Sequence, residues 1–156
     1  MEEASRPATV EDLPRIVELA RLLRSELGAM RGGGLWLARE AWPEPLEQAY
    51  GALVERDDAL LVVGTIDGAI VGFGAVTLEH LRSDATLGVI TDLFVEEPAR
   101  AVGVGDAVAD ALVTFCTRHG CVGVDAFALP GHRAAKNFFE AHGLSARALV
   151  MHRALS

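Results

Sequence analysis

The chain reads as an α/β fold, a mixed and mostly antiparallel central sheet flanked by helices. Three observations predict it. The first third repeats apolar residues at helical spacing. Two apolar runs meet at Asp67-Gly68, a hairpin signal. A third apolar run, Leu87 to Val95, passes through a glycine-bearing loop into an amphipathic stretch, Ala107 to Cys116. A hairpin makes antiparallel neighbours, and a strand–helix–strand unit makes a parallel pair, so the sheet is mixed.

The elements follow in order. Ser5 to Ala8 is a short first strand. Thr9 caps a helix, with Asp12 three residues later and Pro14 in the first turn. Ile16, Leu19, Ala20 and Leu23 form its apolar face, and Gly28 to Gly34 is a glycine-rich break. A second helix runs from about Glu44 to Arg56, with Leu46, Ala49, Tyr50 and Leu53 on one face. Leu60 to Ile66 and Ala69 to Leu78 are the hairpin strands, and Thr86 to Val95 is the next strand. Asp106 to Arg118 is a helix that turns Val108, Leu112 and Phe115 inward. Val122 to Leu129 is a strand, His132 to His142 a helix, and Arg147 to Leu155 a last strand. No repeat or linker divides residues 1–156, so the chain is one domain.

Composition narrows the function. Apolar residues make up 51% and charged residues 23%, which suits a soluble globular protein. Asp67 and Gly68 interrupt the most apolar region, the start Met1-Glu2-Glu3 has no apolar signal core, and the cytoplasm is the expected location. A net charge of −8 argues against nucleic acid as a partner. Residues 1–78 hold 13 of the 22 acids, a balance that attracts a cationic amine or simply keeps the chain soluble. Two cysteines, Cys116 and Cys121, make neither a disulfide framework nor a zinc set, and no metal is expected.

The loop Arg100-Ala101-Val102-Gly103-Val104-Gly105 carries the chemistry. The first N–H groups of a helix lack internal partners and sit at the positive end of its dipole, so they bind phosphate. Gly103 and Gly105 let a ligand approach the main chain, and Arg100 can neutralise another phosphate oxygen. The spacing fits neither a P-loop nor a dinucleotide fingerprint, and such glycine pairs also serve as plain tight turns. The flanks extend the pattern. Ile90-Thr91-Asp92-Leu93-Phe94-Val95, then Glu97-Pro98, then Arg100 to Gly105, resembles the acetyl-CoA motif of the GNAT superfamily of N-acetyltransferases. Ala135-Lys136-Asn137-Phe138-Phe139-Glu140-Ala141-His142-Gly143-Leu144 resembles that family's later helix.

The resemblance implies about six to seven strands flanked by about four helices, with parallel strands splayed where acetyl-CoA lies. It implies that the Phe94 and Val95 backbone pairs with the pantetheine arm, and that Arg100, Ala101, Val102, Gly103, Val104, Gly105 and Asp106 hold the diphosphate. His132, Lys136 and Phe139 complete the expected cofactor contacts, and Met30, Arg31, Trp36 and Glu79 are the candidate acceptor residues. The expected reaction moves an acetyl group from acetyl-CoA to a primary amine of a small molecule. Attack is direct, because no nucleophile stands out, and a homodimer follows by analogy.

A neutral amine attacks a thioester once the reactants are positioned, a proton is removed and the oxyanion is stabilised. Asp92, on one face with Ile90 and Phe94 if the strand alternates, is the candidate base; its alternative role is to bond local backbone. Phe139 stands where the family commonly has Tyr and cannot protonate a leaving thiolate. His132 is a candidate acid in its place, or a surface residue near a helix start. Ala101 replaces a common Gly, and Asp106 would repel a phosphate if aimed at it. The rival class is an acyl-CoA-binding module with little or no catalysis, which Phe139 favours.

Overall fold

The computed structural model describes all 156 residues. The elements are β1 (Glu3–Pro7), α1 (Leu13–Gly28), α2 (Gly33–Arg39), α3 (Leu46–Glu55), β2 (Ala59–Ile66), β3 (Ala69–His80), β4 (Thr86–Val95), α4 (Val104–Arg118), β5 (Gly123–Ala126) and α5 (Arg133–Ala141). The five strands lie in chain order. β1 to β4 are antiparallel, and β5 pairs parallel to β4.

Each sheet face carries its own apolar cluster. Ile16, Leu19, Leu23, Trp36, Leu46, Tyr50 and Leu53 pack from α1, α2 and α3 onto Leu61, Val63, Phe73, Ala75 and Phe94. Val108, Leu112 and Cys116 of α4 pack onto Val62, Val76 and Ile90 on the other face. Glycines make the second contact close. A Cβ at Gly64 would stand 2.6 Å from Val104, at Gly74 2.5 Å from Val108, and at Gly88 2.3 Å from the Cys116 sulfur. The bare main chain at these positions lets α4 lie against the sheet.

Most expected elements form, with shifts. The Thr9 cap opens a 3-10 turn, Val10–Asp12, before α1; the Asp12 carboxylate accepts the Thr9 N–H at 2.8 Å and two Arg6 donors at 2.7 and 2.9 Å. α2 is a helix that the glycine-rich break concealed. Gly32 starts it at φ 81°, and burial of Trp36 holds it, so packing outweighs propensity there.

The last predicted strand, Arg147 to Leu155, does not form. Residues after Leu144 belong to no helix or strand, and Leu149, Val150, Met151 and Leu155 are 82 to 87% exposed. β5 is also shorter than the expected Val122 to Leu129. A strand needs a partner for its amides, and nothing in this chain pairs with the outer edge of β5. The sheet therefore has five strands rather than six to seven, and there are five α-helices rather than four.

Candidate active site

The site begins with an irregularity in β4. Ala75 of β3 faces Asp92, but Val76 faces Ile90, so Thr91 is an extra residue in the ladder. The bulge resets the alternation. Ile90 packs under α4, whereas Phe94 packs with α1 to α3, the side on which Asp92 meets Tyr50 of α3. Asp92 thus shares a face with Phe94 but not with Ile90, which corrects the simple alternating reading. Beyond Ile90 the parallel pairing also ends, because β5 stops at Ala126 while β4 runs on to Val95. The Thr91–Val95 edge is left open on that side.

The loop after β4 is unusually rich in free donors. The amides from Ala101 to Asp106 donate to no backbone or side-chain acceptor in the protein. Ala101 and Gly103 both take left-handed φ, 68° and 93°, and Gly103 caps α4. These turns leave the unbonded N–H groups at the start of α4, the positive end of its dipole. Val104 is buried and fixes the first turn of that helix against the sheet.

A cavity of about 160 Å³ lies between the open β4 edge, α1 and α5. Leu23, Leu27, Trp36, Phe94, Leu129 and Phe138 give it a largely apolar wall. Its polar side chains are Glu26, Thr91, Asp92, Arg100 and His132. Arg100 donates to Glu26 at 2.7 Å and to the Val95 carbonyl at 2.8 Å, and its guanidinium sits 5.3 Å from the centre of the Phe94 ring. His132 Nε2 is 3.9 Å from the other Glu26 oxygen. A larger cavity, about 460 Å³, lies between β1, β2 and α4, away from both the free amides and the β4 opening.

Asp92 is 5% exposed and accepts three hydrogen bonds: Tyr50 at 2.6 Å, Thr91 at 2.7 Å and Trp42 at 2.9 Å. Burial pushes its carboxyl above the usual range, and the three donors pull the other way. The same pair pushes the Tyr50 phenol up, through burial and the neighbouring carboxylate.

An open strand edge that runs into unbonded amides at a helix start suits an extended hydrogen-bonding chain that ends in an anionic group. Sequence comparison decides the family: a profile described as the Acetyltransferase (GNAT) family matches residues 18–144. The chain belongs to the GNAT acetyltransferases. Solved structures share the fold. Glucosamine-6-phosphate N-acetyltransferase from Arabidopsis thaliana is 21% identical with a TM-score of 0.72, and each chain is covered over 100% of its length. A tetramutant of the BH1408 protein of Bacillus halodurans is 20% identical with a TM-score of 0.80, over 97% of this chain and 99% of that one. AAC(6')-Iy, in complex with the bisubstrate analog CoA-S-monomethyl-acetylneamine, is 17% identical with a TM-score of 0.75, over 100% and 99%. No curated protein matches the chain.

Within this GNAT domain the expected cofactor residues divide by what their side chains touch. Phe94, Val95, Arg100, His132 and Phe139 line the cavity. Ala101, Val102, Gly103 and Gly105 offer main chain. Phe138 stands where a Cβ on Gly105 would be 3.2 Å away, so α5 packs on the start of α4. Asp106 turns from the loop toward α5, with His142 Nε2 at 2.8 Å. Lys136 is exposed beside Glu140, 3.8 Å away, and off the cavity wall. Of the acceptor candidates, Trp36 lies on the wall; Met30, Arg31 and Glu79 do not. Cys116 is buried, and burial pushes its thiol up to about 12, which makes it a poor nucleophile.

Sequence reasoning missed Glu26, Thr91 and Tyr50; Trp42, expected with Trp36 as an aromatic wall or as packing near the acceptor, instead donates to Asp92. Glu26 gave no motif signal, since it is one acid on the flank of an amphipathic helix. Tyr50 was read only as part of an apolar face. No group of three or more His, Cys, Asp or Glu side chains is placed to hold a metal, and no helix is long and apolar enough to cross a membrane.

Proposed function

We propose that this protein transfers an acetyl group from acetyl-CoA to a primary amine of a small molecule, by direct attack in a ternary complex. One observation carries the reading: six consecutive unbonded amides, Ala101 to Asp106, at the end of a strand whose other edge is open. The residues fit the nucleotide thioester. The amides and the α4 dipole suit its diphosphate, and the free Thr91–Val95 edge suits the amide-bearing arm, which adds to it as a strand does. Arg100 exchanges Glu26 for a phosphate oxygen, which also bares the Val95 carbonyl for the arm.

The chain's own groups then divide the work. A carboxylate offers about four lone-pair sites, and three on Asp92 are filled, so one is left for an ammonium proton. Its raised affinity for protons suits a base. His132, on the same cavity wall as Phe139, is the candidate donor to the departing thiolate. Bonds to backbone N–H groups near Val95 stabilise the oxyanion. Trp36 is the candidate aromatic wall for the acceptor, and Met30, Arg31 and Glu79 remain weaker candidates that a larger acceptor would have to reach. Relatives whose names include glucosamine-6-phosphate and an aminoglycoside complex support an amine of small size.

The test is calorimetric titration with acetyl-CoA, followed by thiol release over a panel of amines. Saturable binding with turnover on at least one amine is expected. No heat on titration overturns the reading. Binding with no turnover on any acceptor supports the rival acyl-CoA-binding module, which the phenyl ring of Phe139 favours. In Asp92→Asn, turnover should fall about a hundredfold and lose its acid limb; undiminished turnover at every pH removes the base assignment.

A further inference from the structure

Arg24 stands apart from the other arginines of α1. Arg15 pairs with Glu18 and Glu96, and Arg21 pairs with Glu44, but Arg24 takes no carboxylate. It is half-buried, and its one hydrogen bond in the protein donates to the Trp42 carbonyl at 3.0 Å. Trp42 lies on the irregular connection between α2 and α3, and no backbone hydrogen bond involves its amide or carbonyl. Its indole donates to Asp92 at 2.9 Å and lies 3.1 Å from the Thr91 hydroxyl, which itself donates to Asp92. The Arg24 charge also acts through space on Asp92 and Tyr50, favouring the ionised form of each. The exposed Glu44 feels it too, but is already held by Arg21.

We propose that Arg24 is a positioning residue: by holding the Trp42 main chain, it fixes the indole that orients Asp92. Trp42 packs only partly against the core, and its main chain has no other polar tie. Hydrogen bonds weaken steeply beyond about 3.5 Å, so a small swing of the ring unmakes the contact. Asp92 lines the cavity, whereas Arg24 and Trp42 do not, so both act on the carboxylate from behind and leave its cavity side free. Arg24 uses a single Nη for the contact, so a lysine ammonium can stand in for it. The consequence for turnover rests on the acetyl-transfer reading, in which Asp92 is the base; the hold on Asp92 does not. The other groups around Asp92 are Tyr50 of α3 and, along the cavity, Glu26, Arg100 and His132. They are the same in every variant below.

Nuclear magnetic resonance of the full chain tests this without an assay of activity. The protein has two indoles, Trp36 and Trp42, and Trp42→Phe identifies the second. The Trp42 indole N–H resonance should titrate with the Asp92 carboxyl. In Arg24→Met its midpoint should rise by at least about half a pH unit, because the lost cation and the loosened donor both favoured the ionised form. Arg24→Lys keeps a donor and the charge, and should reverse at least about half of that shift. Arg24→Gln keeps a donor without the charge; it should also raise the midpoint, and it serves if the methionine variant does not fold. The Trp36 resonance should stay in place. A parent Trp42 resonance that does not titrate overturns the proposal, as does a midpoint unmoved in Arg24→Met. So does a lysine variant no better than methionine, or a shift of both indoles together, which marks general loosening. Thiol release separates this from the acetyl-transfer reading. In Arg24→Met, kcat should fall about tenfold with the KM for acetyl-CoA unchanged; an unchanged kcat overturns the positioning role. A parent with no turnover on any amine sinks the acetyl-transfer reading alone, and the indole titration still decides the role of Arg24.

Discussion

β4 is two strands in one. Leu87 to Ile90 is paired on both edges, with β3 and with β5, and Ile90 packs beneath α4. Asp92 to Val95 is paired with β3 alone, and its buried side chains Asp92 and Phe94 face α1 to α3. A single extra residue, Thr91, separates the two halves. The first half has a partner strand on each side and a tight apolar contact with α4, so its part is support. The second keeps open main-chain groups, a buried carboxylate and a cavity beside it. A bulge thus converts a core strand into the wall of a site without adding an element.

The largest expected effect comes from breaking the first half. Gly88→Val puts a side chain where the Cys116 sulfur already lies 2.3 Å from a Cβ, and should cost about 3 kcal/mol in urea unfolding. Acetyl-CoA affinity of the fraction still folded should be unchanged; a selective loss of binding would erase the division between the halves.

The second half should respond in the opposite way. Tyr50→Phe removes the shortest hydrogen bond to Asp92 and leaves a buried carboxylate with one donor fewer. A stability loss of about 2 kcal/mol is expected. The lost donor favoured the ionised form, so the acid limb of the pH–rate profile should move to higher pH. A profile that stays in place would separate Asp92 from the proton transfer.

Acid titration probes a carboxylate outside both halves. Two donors from Arg6, with the Thr9 N–H, hold Asp12 down to about 2, below its ordinary 3.8. A depressed carboxylate stabilises the fold above its unfolded value, and the contribution disappears as pH falls from about 4 toward 2. Arg6 is half exposed, so the loss should be only about 1 to 2 kcal/mol. In Asp12→Asn unfolding curves the acid-dependent drop should shrink, with turnover near neutrality unaffected.

The smallest effect belongs to the loop. Ala101 sits at φ 68°, where a side chain costs about 1 kcal/mol relative to glycine. Ala101→Gly should therefore raise stability by up to about 1 kcal/mol. Its acetyl-CoA affinity should change less than about threefold, because the amide that binds is retained.

Much of this was visible in the residues themselves. The hairpin at Asp67-Gly68 and the strand–loop–helix order around Gly103 depend on local chemistry and formed where expected, and the helix expected after Thr9 formed one 3-10 turn later. The Asp92 network was not visible, because Trp42, Tyr50 and Asp92 are far apart in the chain and only packing of α3 against β4 brings them together. The hold of Glu26 on Arg100 is equally nonlocal, joining α1 to the loop after β4.

The amino-acid sequence by itself determined the order of elements from the hairpin to α5, the loop that presents its amides and the membership in an acetyltransferase family, since periodicity, glycine placement and motif spacing are written along the chain. Only the tertiary structure decided which face Asp92 takes, which acid restrains Arg100 and whether the last segment becomes a strand. Those outcomes depend on what lies across the sheet. A one-residue bulge reverses an alternating pattern, and a strand without a neighbour cannot satisfy its own backbone.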